Sequence, residues 1–278
     1  MTRPTIKAAA VCLAMLVASV LLLCSCAPST PPDEEEQLPK LRIGVDYYEP
    51  FAQIDEKGDF DGIDIDIATE VCKHIGYEPV FVHINWTEKD LLLANGTIDC
   101  IWSCFTYNGR EDKYAWTLPY MNSRQVVAVP VDSDIKKIAD LADRRVAVQA
   151  TCKPDEIFSG RANVKDLEVP AVKELDCFSD IKYTFAALNS GYVDAIAGHE
   201  PVLQAYMKTS YKQLRILDEP LLNVQVAVAF LYGTHDDVIQ RINHTLYLLR
   251  NNGYMADLCE RYGLDEDKYV INYEQEKR

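Results

Sequence analysis

Arg110 is the residue of this chain best placed for recognition chemistry. It follows an apolar stretch, DCIWSCF, and a turn at Tyr107-Asn108-Gly109, where Asn and Gly both tolerate positive φ. A guanidinium set by a turn at the end of a strand can grip a carboxylate through two parallel hydrogen bonds. On this stretch alone, a solvated surface arginine is the simpler reading. His199 and Glu200 are a second candidate, as an acid–base pair, but neighbours along a strand point to opposite faces. There is no Ser-His-Asp order, HExxH motif or phosphate loop. Asp64 and Asp66 stand where helix-start acids are favoured by the dipole. The chemistry therefore points to binding before catalysis.

The elements that must hold these residues follow from periodicity. Leu41–Val45 is a short strand, ended by the loop around Pro50. Ile63, Ile67, Val71 and Ile75 are spaced as one face of a helix that stops at Gly76. Alternation over 77–84 predicts a strand, 88–94 a second helix, and 98–105 the buried strand leading to Arg110. Strand, helix, strand, helix, strand means crossover units and a mainly parallel sheet. A strand over 125–131 leads into a second such unit, with strands at 146–149 and 193–197 and helices at 153–158, 181–189 and 201–207. The apolar run 224–231, VQVAVAFL, reads as one returning strand, followed by helices over 238–249 and 254–262. Two α/β lobes sharing two crossing strands leave a cleft at the carboxyl ends of both sheets, where open α/β sheets bind ligands.

Composition narrows the partners. The 278 residues suffice for two lobes, and a net charge of −15 argues against nucleic acid, which calls for a basic face. Arg3 and Lys7 precede a mostly apolar run, 8–23, too short to span a membrane and suited to a signal peptide. The run ends in Leu23-Cys24-Ser25-Cys26, which resembles a bacterial lipobox with Cys26 as the lipidated residue. APSTPPDEEEQ then reads as a solvated, extended tether. Loss of Arg3 and Lys7 with the signal takes the net charge from −15 to −17. No second apolar span follows, so the expectation is an extracytoplasmic globule held to the membrane by lipid. The later cysteines, Cys72, Cys100, Cys104, Cys152, Cys177 and Cys259, match no zinc spacing and read as free, buried thiols. No metal or cofactor is expected.

Ordered motifs over 41–262 resemble a family 3 extracellular solute-binding protein of the type II periplasmic-binding-protein fold, which feeds amino-acid ABC importers. They are LRIGVDYYEPF, GDFDGIDIDIATEVCKHIGY, NGTIDCIWSCFTYNGR, AWTLPY, VAVQATCKPDEIF and NSGYVDAIAGHE. The resemblance implies a signal over 1–25, a tether over 26–40, lobe one from 41–124 and 225–278, and lobe two from 125–224. It implies Tyr48 and Trp86 as an aromatic sandwich for the ligand side chain, and Arg110 as the anchor of its α-carboxylate. Ser103, Cys104 and Thr106 match the neighbouring hydroxyl and backbone positions. Thr151, Cys152 and Lys153 match a lobe-two loop whose free N–H groups also face that carboxylate. Asp46 matches an acid near the side chain of basic ligands. Two departures stand out. The turn before Arg110 is one residue longer than the family's usual form. The acid that holds the ligand's α-ammonium is replaced by His199, leaving Glu200 or Asp46 to take over, or a ligand without that group. The implied function is capture of a small carboxylate ligand by a monomeric receptor serving an ABC permease. A sensory module for a partner receptor, or an exported enzyme on the same fold, are the alternatives.

Overall fold

The computed structural model describes residues 37–210 and 213–272. The signal segment, Cys26 and most of the tether lie outside them. The folded unit starts at Pro39. Its first sheet is built on β1 (Lys40–Val45), β2 (Glu78–His83) and β3 (Cys100–Ile101), in the order β2-β1-β3 with both pairings parallel. Helix α1 (Ile63–Ile75) crosses from β1 to β2 and ends at Gly76, whose φ of 68° is the left-handed cap that glycine adopts without strain. Helix α2 (Lys89–Ala94) makes the second crossover.

The second sheet is mixed, with parallel and antiparallel pairings. Strands β6 (Arg145–Gln149), β7 (Glu174–Phe178) and β8 (Ala195–His199) pair in parallel around β6. The long β5 (Met121–Pro130) runs antiparallel to β8. Helices α3 (Lys153–Phe158), α4 (Ile181–Ser190) and α5 (Glu200–Met207) belong to this lobe. The chain returns through β10 (Leu222–Val226), the strand after β9 (Leu214–Ile216), and both pair with β5. Strand β11 (Ala229–Phe230) then joins the first sheet between β3 and β4 (Ala115–Trp116). Residues 124/125 and 224/225, the expected lobe boundaries, fall inside the β5–β10 pair. Helices α6 (Asp236–Asn251), α7 (Tyr254–Arg261) and α8 (Glu266–Tyr269) close the chain.

Two expected strands take a different form. The apolar run 98–105 keeps ladder geometry only at Cys100–Ile101. Beyond Trp102 the backbone turns, with φ of 47° at Cys104, because polar groups capture it. Asp64 Oδ2 accepts the Cys104 N–H at 2.6 Å, and Ser103 Oγ accepts the Asp46 N–H at 3.1 Å. The run 224–231 is two strands, β10 and β11, which belong to different sheets. Burial made it look continuous: Val226, Ala227, Val228 and Ala229 are all fully buried although the chain changes sheet among them. Trp102 is fully buried, while Trp116 is half-buried. The six cysteines among the described residues are all free, but Cys177 is exposed and Cys152 partly so, against the expectation of buried thiols.

Candidate functional site

The carboxyl ends of the two sheets face one another, and the residues there enclose a cavity of about 20 Å³, close to the space one water needs. Its wall contains Asp46, Tyr48, Trp86, Ser103, Cys104, Thr106 and Arg110 from the first lobe, and Gln149, Cys152, Lys153 and His199 from the second. A space this small means that the lobes are closed on one another.

Arg110 does turn inward, and only 6% of it is exposed. Its guanidinium lies over the Phe105 ring, 4.8 Å from the centroid, and Nη1 donates to Thr106 O at 3.1 Å. The Nε and Nη2 groups both donate to Glu156 Oε1, at 2.9 and 2.8 Å. Glu156 belongs to α3 in the second lobe, one helical turn after Lys153, whose Nζ donates to its other oxygen at 2.5 Å. Burial alone would raise the Glu156 carboxyl, but Arg110 and Lys153 hold it below its usual range.

At the opposite wall, Asp46 Oδ2 accepts from Gln149 Nε2 at 2.7 Å, which ties the end of β1 to the end of β6. Oδ1 accepts the Tyr47 N–H at 2.9 Å. Burial pushes this carboxyl up to about 7 despite those donors. Asp46 is thus an acid that a nearby cation would ionise. Above it, Tyr47 stacks on His83 at 3.9 Å.

His199 sits at the end of β8 in a polar cage. Its Nε2 lies 2.9 Å from Gln125 Nε2 and 3.1 Å from Thr106 Oγ1, and its Nδ1 lies 2.8 Å from Ser123 Oγ. Tyr48 meets the ring edge-on at 6.2 Å. Burial, and secondarily the Arg110 charge, push the imidazole down to about 3. A neutral ring with both nitrogens engaged has no capacity to hold an ammonium.

Trp86 is 6% exposed and packs edge-on against Phe105 at 5.1 Å, with the Lys89 ammonium 4.9 Å above its ring. Its buried Nε1 has no hydrogen-bond partner among the described residues. Lys89 reaches across to the second lobe and donates to Thr151 Oγ1 at 2.9 Å. Cys104 and Cys152 both border the cavity, and burial raises both thiols, Cys152 to about 12. They are neutral sulfhydryls there.

Two expected residues do not line the cavity. Glu200, which follows the end of β8, turns away from the cavity. Its carboxylate accepts from Arg124 Nε and Nη2 at 3.0 and 2.9 Å and from Tyr269 OH at 2.9 Å, and pairs with Lys268. It therefore joins α5 to the crossing strand β5 and to α8 and forms no pair with His199. Thr151 has a φ of 60° and its N–H donates to Asp155 Oδ2 at 2.7 Å, so that N–H is not free for a ligand.

Other residues of the site went unnoticed in the sequence. Glu156 lies three residues after the expected Lys153 on one helix, a spacing that signals a pair. Gln149 ends an apolar strand, as site residues of parallel sheets do. Asp64 is fully buried and holds Cys104 N–H and Tyr120 OH, both at 2.6 Å. It shapes the cavity wall and is more than a helix-start acid; nothing local in the sequence marks that role.

A cleft closed between two α/β lobes and lined by an arginine, a lysine and aromatic rings defines a solute receptor. Residues 41–265 match the model of the bacterial extracellular solute-binding proteins, family 3, and the chain belongs to that family. It is 28% identical over 238 residues to the histidine-binding periplasmic protein of Salmonella typhimurium, covering 83% of this chain and 89% of that one. It is 25% identical over 233 residues to the L-cystine-binding protein TcyA of Bacillus subtilis, covering 82% and 83% respectively. Its fold matches that of an ancestral arginine-binding protein bound to arginine, with a TM-score of 0.72 and 26% identity over 80% of this chain and 97% of that one.

Proposed function

We propose that this protein is an extracytoplasmic receptor that captures a small amino-acid-like carboxylate between its lobes and hands it to an ABC importer. Lipid on Cys26 holds it at the membrane in this reading. The observation that carries it is Arg110, buried at the cleft with its two-pronged Nε/Nη2 edge already on a carboxylate, that of Glu156. The relatives support the amino-acid class, being histidine-, L-cystine- and arginine-binding proteins. The rings of Tyr48 and Trp86 line the same cavity and suit the side-chain end of such a ligand. His199 is neutral, so a ligand ammonium would go to Asp46, the acid on the cavity wall. The ligand enters when the lobes part about β5 and β10, and it can favour the shut form only as far as it binds that form more tightly than the open one.

One solved relative in fold is an ancestral amino-acid-binding protein described as a precursor of cyclohexadienyl dehydratase. Glu200 is turned away from the cavity, which leaves His199 without an acid partner and favours binding over catalysis. The test is calorimetry with L-histidine, L-arginine, L-cystine and L-glutamate. Arg110→Ala should lose most of the affinity for whichever ligand binds while its far-ultraviolet circular dichroism stays native. Unchanged affinity refutes the carboxylate anchor.

A further inference from the structure

The cation that should receive a ligand carboxylate already holds one. Glu156 takes the Nε/Nη2 edge of Arg110, the edge whose two donors match a carboxylate, and Nη1 is engaged by Thr106 O. The other Glu156 oxygen is on Lys153, whose side chain is wholly buried. Arg110 comes from the first lobe and Glu156 and Lys153 from the second, so this bridge exists only when the lobes are closed. The adjoining cavity of about 20 Å³ offers little more than the space of one water.

We infer that Glu156 is a tethered competitor: it occupies the ligand's anion seat on Arg110, and a ligand carboxylate binds by displacing it. The inference rests on Arg110 as the ligand's anchor. A buried guanidinium and ammonium that lost their counter-ion would carry a large desolvation penalty, so one carboxylate or another must fill the seat in the closed form. An internal one closes the cleft without cargo and sets a threshold that any external anion must exceed. Glu156 thereby determines affinity, and favours ligands whose other groups gain enough from the cleft to outweigh its loss.

The test compares wild type, Glu156→Gln, Glu156→Asp and Arg110→Ala by calorimetry against L-histidine, L-arginine, L-cystine and L-glutamate. Glu156→Gln keeps the side-chain volume and removes the charge. It should bind at least one of the four with a Kd at least tenfold lower than wild type. Glu156→Asp keeps the charge but shortens its reach by one methylene, and should fall between the two. The gain should vanish in the Arg110→Ala/Glu156→Gln double variant. The inference is overturned if Glu156→Gln binds none of the four, or binds with unchanged or weaker affinity, or if the gain survives without Arg110. If Arg110→Ala loses the wild-type affinity while Glu156→Gln gains nothing, the carboxylate anchor stands and only the competitor falls.

Discussion

His199 makes this protein's stability sensitive to acid in a way that can be calculated. The imidazole is fully buried among Thr106, Ser123, Gln125 and Tyr48, with the Arg110 charge nearby, and stays neutral down to about 3. In the unfolded chain the same ring protonates at about 6.5. The folded-state value is depressed, so the stabilisation is complete above the unfolded value and is lost as pH falls below it. Between about pH 6.5 and 4.5 the unfolded state takes up a proton that the folded state refuses, at about 1.4 kcal/mol per pH unit, or about 3 kcal/mol in all. The upper part of the window does not depend on how far below 4.5 the folded value lies. The perturbation is His199→Gln, which keeps a donor and an acceptor but does not titrate. Urea unfolding of both proteins at about pH 8, 6.5 and 4.5 isolates the histidine, because the remaining groups titrate alike in each. The variant should be less stable than wild type at pH 8, and that deficit should shrink by about 3 kcal/mol at pH 4.5. Parallel curves would refute the argument and mean that His199 is protonated in the folded state.

Other perturbations separate site from scaffold. Asp64 is buried with a carboxyl raised to about 7, so its contribution has the opposite sign: wild-type stability should fall relative to Asp64→Asn as pH rises from about 4 to 7, by up to a few kcal/mol. A constant difference in denaturation midpoints across that range would exclude this. Glu200→Ala strips a carboxylate from Arg124, Lys268 and Tyr269, the first two of which are about a third exposed, so a modest cost of about 1–2 kcal/mol is expected with ligand affinity retained. Loss of affinity equal to that of Arg110→Ala would place Glu200 in the site after all. Cys26→Ala should shift the protein from the membrane fraction to the soluble one on cell fractionation; a variant still held at the membrane would remove the lipid anchor.

Much of the arrangement was legible in residue order. Gly76 and Gly191 mark helix ends, and both adopt left-handed φ, at 68° and 77°. Periodicity placed α1 and α6 within one or two residues. Residues expected from separate motifs, among them Asp46, Tyr48, Trp86, Arg110, Lys153 and His199, border one cavity. These features depend on local propensity and on strands ending where parallel sheets present ligands, which a linear pattern can carry.

What tertiary structure alone decided is where the charges meet. That Arg110 faces Glu156 depends on two helical and strand termini brought together from different lobes, and no spacing along the chain encodes that approach. The splitting of the run 224–231 between sheets, and the bend at Cys104 imposed by Asp64, were invisible for the same reason: uniform burial gives an apolar run one appearance whichever sheet it serves. The turning away of Glu200 follows from its capture by Arg124 on β5 and Tyr269 on α8, residues far from it in sequence. The sequence by itself determined the lobes, the cleft and the candidates around it. The pairing of buried charges, set by desolvation and by partners that only folding supplies, decided which candidates face the cleft.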